Sequence, residues 1–223
     1  MDQNPAASTP RAQRLRRTRG FTLIELLAAM AILSLLVGLA LTMVAKARAT
    51  ANENACQQQL RDIANLMQNW VDTRNQGRWP KERGVKFLLS MVKDDFIRGD
   101  ALRKFACPGT DDTTSAPGDE TVGSGLSKWD EIDPDCISYA GRDNVQFGLK
   151  KDRLDEEVIA SDDNWYQGQG RSNHGGITNI VYADQHIGQI KTSKYKGELP
   201  EKQDWIPVGP ESPDENLRKL AVD

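Results

Sequence analysis

Residues that carry chemistry are scarce in this chain. Two histidines, His174 and His186, and three cysteines, Cys56, Cys107 and Cys136, are all that occur in 223 residues. No serine sits in a Gly-x-Ser-x-Gly setting, no Cys–His pair suggests a nucleophile and its base, and no glycine-rich phosphate loop is present. We therefore expect no catalytic residue and no enzyme activity. Hydrophobic residues amount to only 38%, low for a single compact globule, and many of them are gathered near the N-terminus. Basic charge is missing from the body. Residues 1–20 hold five of the 29 basic residues (Arg11, Arg14, Arg16, Arg17, Arg19) and one of the 32 acidic ones, Asp2, leaving 24 against 31. So acidic a body has no basic stripe to neutralise phosphates, which argues against a nucleic-acid partner. The Arg-rich start does not read as a nucleic-acid arm either, because an apolar span follows it directly.

What is present is that span. Phe21 to Ala45 contains one ionisable side chain, Glu25. At ~1.5 Å per residue it is long enough for a bilayer core of ~30 Å. The Arg cluster before it should stay in the cytoplasm, sending everything after Lys46 across the membrane. A cleaved secretory signal fits less well, since its apolar region is roughly 7–15 residues and ends in a small-residue site. An uncleaved signal anchor is the other reading. Glu25 argues against that, because a carboxylate five residues into a membrane helix costs a few kcal/mol unless paired, and a plain anchor gains nothing from it.

The run Arg19-Gly20-Phe21-Thr22-Leu23-Ile24-Glu25-Leu26-Leu27 resembles the cleavage and methylation motif of type IV prepilins and type II secretion pseudopilins. The resemblance implies that a membrane peptidase cuts after Gly20 on the cytoplasmic side and methylates the new N-terminal Phe21. It also implies assembly through Glu25. Gly20 lets the chain enter a tight cleft where a Cβ would clash. After the cut, the Phe21 ammonium and the Glu25 carboxylate of adjacent subunits can pair in low dielectric and set the stagger of a filament.

Beyond the membrane the helix should continue over 46–75. Cys56, Leu60, Ile63, Met67 and Trp70 recur at the spacing of one face, with Leu66 and Val71 broadening it. Gly77 and Pro80 end the pattern. The expected division is a basic leader (1–20), a transmembrane helix (21–45), its amphipathic continuation (46–75), a globular head (76–193) and a polar C-terminal segment (194–223) with a flexible end. In the head, 85–96 reads as a short helix and 109–135 as a long polar loop. Strands are expected at Cys136–Ala140, Val158–Ser161, Ile177–Tyr182 and His186–Thr192, the last two forming a hairpin across Asp184-Gln185. No internal repeat is evident. The fold class expected is α+β and pilin-like: a long N-terminal helix packed on a small antiparallel sheet.

His174 and Asp184 stand nine residues apart. They resemble the H-X9-DG motif near the C-terminus of a large group of prepilin-like proteins, as do the stretch around Cys56 and Cys107-Pro108. Gln185 departs from that pattern, which has Gly, and so puts in doubt a turn with positive φ there. The motif carries no chemical role that can be derived. His174, Asp184 and His186 would make a two-His, one-carboxylate set for a transition metal, with Asp184 and His186 on one face of a strand. The simpler alternative is a structural His174 reaching Asp162 or a backbone carbonyl. Calcium is the second possible cofactor. The resemblance to pseudopilins implies such a site in a C-terminal loop, and Asp111-Asp112, Asp130–Asp135 and Asp162-Asp163 offer oxygen ligands, though without the spacing of a dedicated loop.

All three thiols fall beyond the membrane, where oxidation is possible. Three pairings can be drawn. Cys107 with Cys136 is the one we expect, closing the polar loop, while Cys56 lies on the apolar stripe as a small buried hydrophobe. By resemblance, the partners are prepilin peptidase, other pilin or pseudopilin subunits and an inner-membrane assembly platform. The location implied is the bacterial inner membrane, single-pass, with the head periplasmic. The alternative is a membrane-anchored metal-binding or hydrolytic head behind a prepilin-type leader.

Overall fold

The computed structural model describes residues 21–109, 129, 132, 136–162 and 173–223. Contacts divide the chain into two compact units, Met1–Ala45 and Lys46–Asp223. The basic leader with Gly20, most of the polar loop with Asp111 and Asp112, the acids Asp130, Asp133 and Asp135, and Asp163 lie outside the described residues.

Helix α1 runs from Leu23 to Thr73. It opens with a capping box: the Thr22 hydroxyl accepts the Glu25 amide at 3.3 Å, and the Glu25 carboxylate accepts the Thr22 amide at 2.9 Å and its hydroxyl at 2.8 Å. Helix starts leave amides without partners, and this exchange satisfies them. The expectation that a plain anchor gains nothing from Glu25 is therefore corrected, since the carboxylate caps its own helix. Residues 23–45 of the first unit span about 34 Å at ~1.5 Å per residue. Among the described residues, every exposed large hydrophobic except Val145 lies between Phe21 and Val44. It is the one described helix long and apolar enough to cross a membrane.

In the second unit the stripe behaves as its spacing predicts. Cys56, Leu60, Ile63, Ala64, Met67, Trp70 and Val71 are buried, and Leu66 is partly so. Helix α2, Gly84–Lys93, buries Val85, Phe87, Leu88, Met91 and Val92 beside them, and Trp79 stacks on Phe87 with ring centroids 6.2 Å apart. Each such Leu, Ile, Met or Phe withdrawn from water contributes ~1.5–3 kcal/mol. A 3-10 helix at Gly99–Phe105 then leads to Cys107.

Five strands form one antiparallel sheet: β1 (Tyr139–Arg142), β2 (Val158–Asp162), β3 (Ile177–Tyr182), β4 (Ile187–Lys191) and β5 (Leu220–Ala221), in the order β4-β3-β2-β1-β5. The first strand begins three residues later than expected, because the Ser138 amide bonds to the Phe105 carbonyl at 2.9 Å and draws Ile137 and its neighbours toward the 3-10 helix. Gly141 lets α2 approach β1, since a Cβ there would stand 2.0 Å from the Gly84 carbonyl oxygen. The sheet is covered on both faces. Tyr139, Ile159 and Val181 pack with the helices, whereas Ala140, Val158, Ile180 and Ile190 pack with Tyr195, Ile206, Leu217 and Leu220.

That second layer corrects the expectation of a polar C-terminal segment with a flexible end. Tyr195, Ile206, Leu217, Leu220 and Ala221 are buried there, together with Ser212 and Asp214. Helix α3 (Glu215–Arg218) is capped by Asp214, which accepts the Asn216 amide at 2.8 Å and the Tyr195 hydroxyl proton at 2.6 Å. β5 then becomes the edge strand beside β1, with Gly141 opposite Ala221.

The β3–β4 hairpin forms as expected, with Ile180 opposite Gly188. Gln185 adopts φ +75° at its turn, so the geometry that the departure from Gly put in doubt is taken by Gln itself. A left-handed residue with a Cβ costs ~1–2 kcal/mol, part of which a glycine returns through its looser unfolded chain. Gln185→Gly is expected to stabilise the head by ~0.5–1 kcal/mol, read as a higher urea midpoint at unchanged slope. A lower midpoint would mean that the Gln185 side chain contributes more than its backbone strain.

Candidate functional site

Two groups of residues are of functional interest, one at the start of α1 and one inside the head. At the N-terminus, Phe21 is 83% exposed and Glu25 is held by Thr22. These are short-range features of a helix start.

The head group was only partly visible in the sequence. Cys56 comes from α1, Cys107 from the turn after the 3-10 helix, and His174 from the loop before β3. One donor atom from each lies within 4.8 Å of the other two. The Cys107 sulfur stands 3.5 Å from His174 Nε2 and accepts the Gly109 amide at 3.4 Å. The same Nε2 faces Asp162 Oδ2 at 3.6 Å, both side chains being buried. Asp162 is therefore the partner that the simpler reading of His174 named. Gly109 permits this closeness, since a Cβ there would meet His174 Cε1 at 2.6 Å.

A polar shell holds these groups. Asp162 accepts the Asn179 backbone amide at 2.6 Å and its side-chain amide at 2.9 Å. Asn179 Oδ1 in turn accepts from Gln57 and Gln189, each at 3.1 Å, and Gln189 donates to Glu53 at 2.7 Å. Tyr139 donates to Gln59 at 2.7 Å, and its oxygen lies 3.6 Å from the Cys56 sulfur. The electrostatics follow from this packing. Cys107 is lowered to about 5, chiefly by the hydrogen bond from Cys56, with His174 and the Gly109 amide adding to it against burial. The Cys56 thiol is pushed up, by the same bond first and then by burial. Burial raises Asp162 to about 8, opposed by His174 and Asn179. Burial pulls His174 down, but Cys107 and Asp162 outweigh it and the net shift is upward.

The set His174, Asp184 and His186 is not assembled. Asp184 and His186 do not share a strand face; both lie in the turn between β3 and β4. There Asp184 accepts the His186 amide at 3.2 Å and sits 2.5 Å from its Nδ1. The exposed His186 ring stacks on Tyr182 at 4.0 Å, and His174 instead faces inward to Cys107 and Asp162. The bridge expected between Cys107 and Cys136 is not formed either: no disulfide joins these cysteines, and the Cys107 sulfur is turned toward Cys56 and His174. Of the acidic groups weighed for calcium, Asp162 is buried inside the sheet with two donors already on its oxygens.

Residues 15–41 match the family model of the prokaryotic N-terminal methylation motif. No curated protein and no solved structure matches the chain. The chain thus carries a prepilin-type motif of the kind that prepilin peptidase processes. The motif is followed at once by a helix able to serve as a single-pass anchor, and the fold is α+β and consistent with a pilin-like one.

Proposed function

We propose that this protein is a non-enzymatic structural subunit of a pseudopilus or type IV pilus-like filament serving type II-like protein secretion. The methylation motif at residues 15–41 carries the reading. Cleavage after Gly20 on the cytoplasmic face leaves Phe21 as a methylated N-terminus. The apolar part of α1 holds the subunit in the inner membrane with the head in the periplasm. An assembly platform then moves subunits into the filament, where the Phe21 ammonium of one pairs with Glu25 of the next.

Several observations support this sequence of events. The exposed hydrophobics of the first unit need either lipid or neighbouring helices to leave water, and a filament core supplies the second. Glu25 lies in the first turn of α1, within reach of a chain end brought alongside. Among the described residues, the side chains of His174 and Asp162 are buried against each other inside the head, as structural groups are.

The decisive test is intact-mass and N-terminal peptide mass spectrometry on membrane-extracted protein. The expected result is a mature chain beginning at N-methylated Phe21, and an unprocessed chain for Gly20→Val, whose side chain clashes in the tight cleft that Gly20 enters. Wild-type protein still carrying residues 1–20 would reduce the chain to a plain signal anchor and overturn the filament reading.

A further inference from the structure

The geometry points to a buried metal site in the head, in which Cys56 Sγ, Cys107 Sγ and His174 Nε2 bind a borderline-soft divalent cation of the zinc class. This inference is independent of filament assembly.

The three donors converge from separate elements and lie within 4.8 Å of one another. A tetrahedral zinc ion has bonds of ~2.3 Å to sulfur and ~2.0–2.1 Å to nitrogen, so its sulfur–nitrogen edge is about 3.5 Å. The Cys107–His174 separation is 3.5 Å. Two thiolates and an imidazole select zinc-like ions over calcium or magnesium, which prefer oxygen. Asp162 Oδ2, 3.6 Å from the same Nε2, stands where a fourth ligand belongs. Its contacts to Asn179 keep it oriented, as hydrogen bonds to ligating carboxylates do.

A disulfide between Cys56 and Cys107 is the competing use of the two thiols. It would engage both sulfurs but leave an imidazole and a carboxylate facing each other in the core. A cation uses all of these groups and offsets the negative charge buried with them. Binding forms two metal–sulfur bonds and one metal–nitrogen bond and releases the remaining thiol protons to solvent. No electron is transferred.

The test uses the full chain, extracted in detergent and reduced, titrated with Co2+ alone. One equivalent is expected to produce the intense thiolate-to-cobalt charge-transfer band together with the visible bands of a tetrahedral ion, and one equivalent of Zn2+ should abolish both. Cys56→Ser, Cys107→Ser and His174→Ala are expected to lose the signal, while Cys136→Ser keeps it. Asp162→Asn should weaken binding ~10–100-fold. Wild-type protein is decisive even if the variants misfold. Absence of the charge-transfer band at a saturating excess of Co2+ would overturn the site. So would a Cys56–Cys107 disulfide found by peptide mapping after thiol trapping at extraction.

Discussion

Glu25→Gln is expected to abolish incorporation into filaments while leaving α1 intact. Two roles meet at this carboxylate. Within the chain it closes the capping box with Thr22, a part that Gln also plays in such boxes. Between chains it supplies the negative charge that a neighbour's Phe21 ammonium requires, and an amide does not. Glu25→Val removes both roles. If charge pairing drives assembly, the two variants fail alike, with incorporation falling at least tenfold, since ~1.4 kcal/mol per subunit already suffices for that. If capping is what matters, Gln behaves as wild type and only Val fails. Quantitative immunoblotting of sheared filaments against the membrane pool reads the difference. Normal incorporation of Glu25→Gln would sink the pairing argument while leaving cleavage at Phe21 untouched.

Arg142→Met is expected to cost the head ~3–5 kcal/mol, the usual penalty for breaking one half of a buried ion pair. Among the described residues Arg142, at the end of β1, is the largest fully buried side chain. Its guanidinium donates to the Phe147 carbonyl at 2.9 Å, to the Val158 carbonyl at 2.6 Å and to the Glu157 carboxylate. Burial lowers its pKa, and Glu157 offsets part of that shift. Methionine fills comparable volume but leaves the buried Glu157 carboxylate without its cation and takes one donor from each of the Phe147 and Val158 carbonyls. Thermal unfolding of the detergent-extracted chain should fall by roughly 6–20 °C for a head of this size. Adding Glu157→Leu should recover most of the loss, because the desolvated charge is then gone. A loss below ~1 kcal/mol for the single variant, typical of an exposed ion pair, would mean that water reaches the pair and that it does not organise the β1–β2 pairing.

How much could be read in advance differs by region, and the reason is the range of the interactions. The stripe from Cys56 to Trp70 was legible because one helix face repeats locally. The β3–β4 hairpin was legible because its strands are joined by a short turn, although the left-handed Gln185 ran against the expected residue choice. The C-terminal segment was misread. Ile206, Leu217 and Leu220 are too sparse to show a period, yet each is buried on the second face of the sheet. Arg142 gave no warning either, since an arginine at a strand end ordinarily looks toward water.

The sequence by itself determined the methylation motif at residues 15–41, the apolar span, the helix that follows, the hairpin and the α+β class. Each of these depends on residues a few positions apart, where covalent order alone sets the spacing. Tertiary structure alone decided which titratable groups meet. His174 left the histidine–carboxylate set at the hairpin turn and joined Cys107, 67 residues earlier, with Cys56 and Asp162. It does so because Gly109 allows the loops to touch and because the shell of Asn179, Gln57 and Gln189 satisfies polar groups that could not otherwise be buried. Contacts of that range are fixed by packing and desolvation together, and no local pattern encodes them.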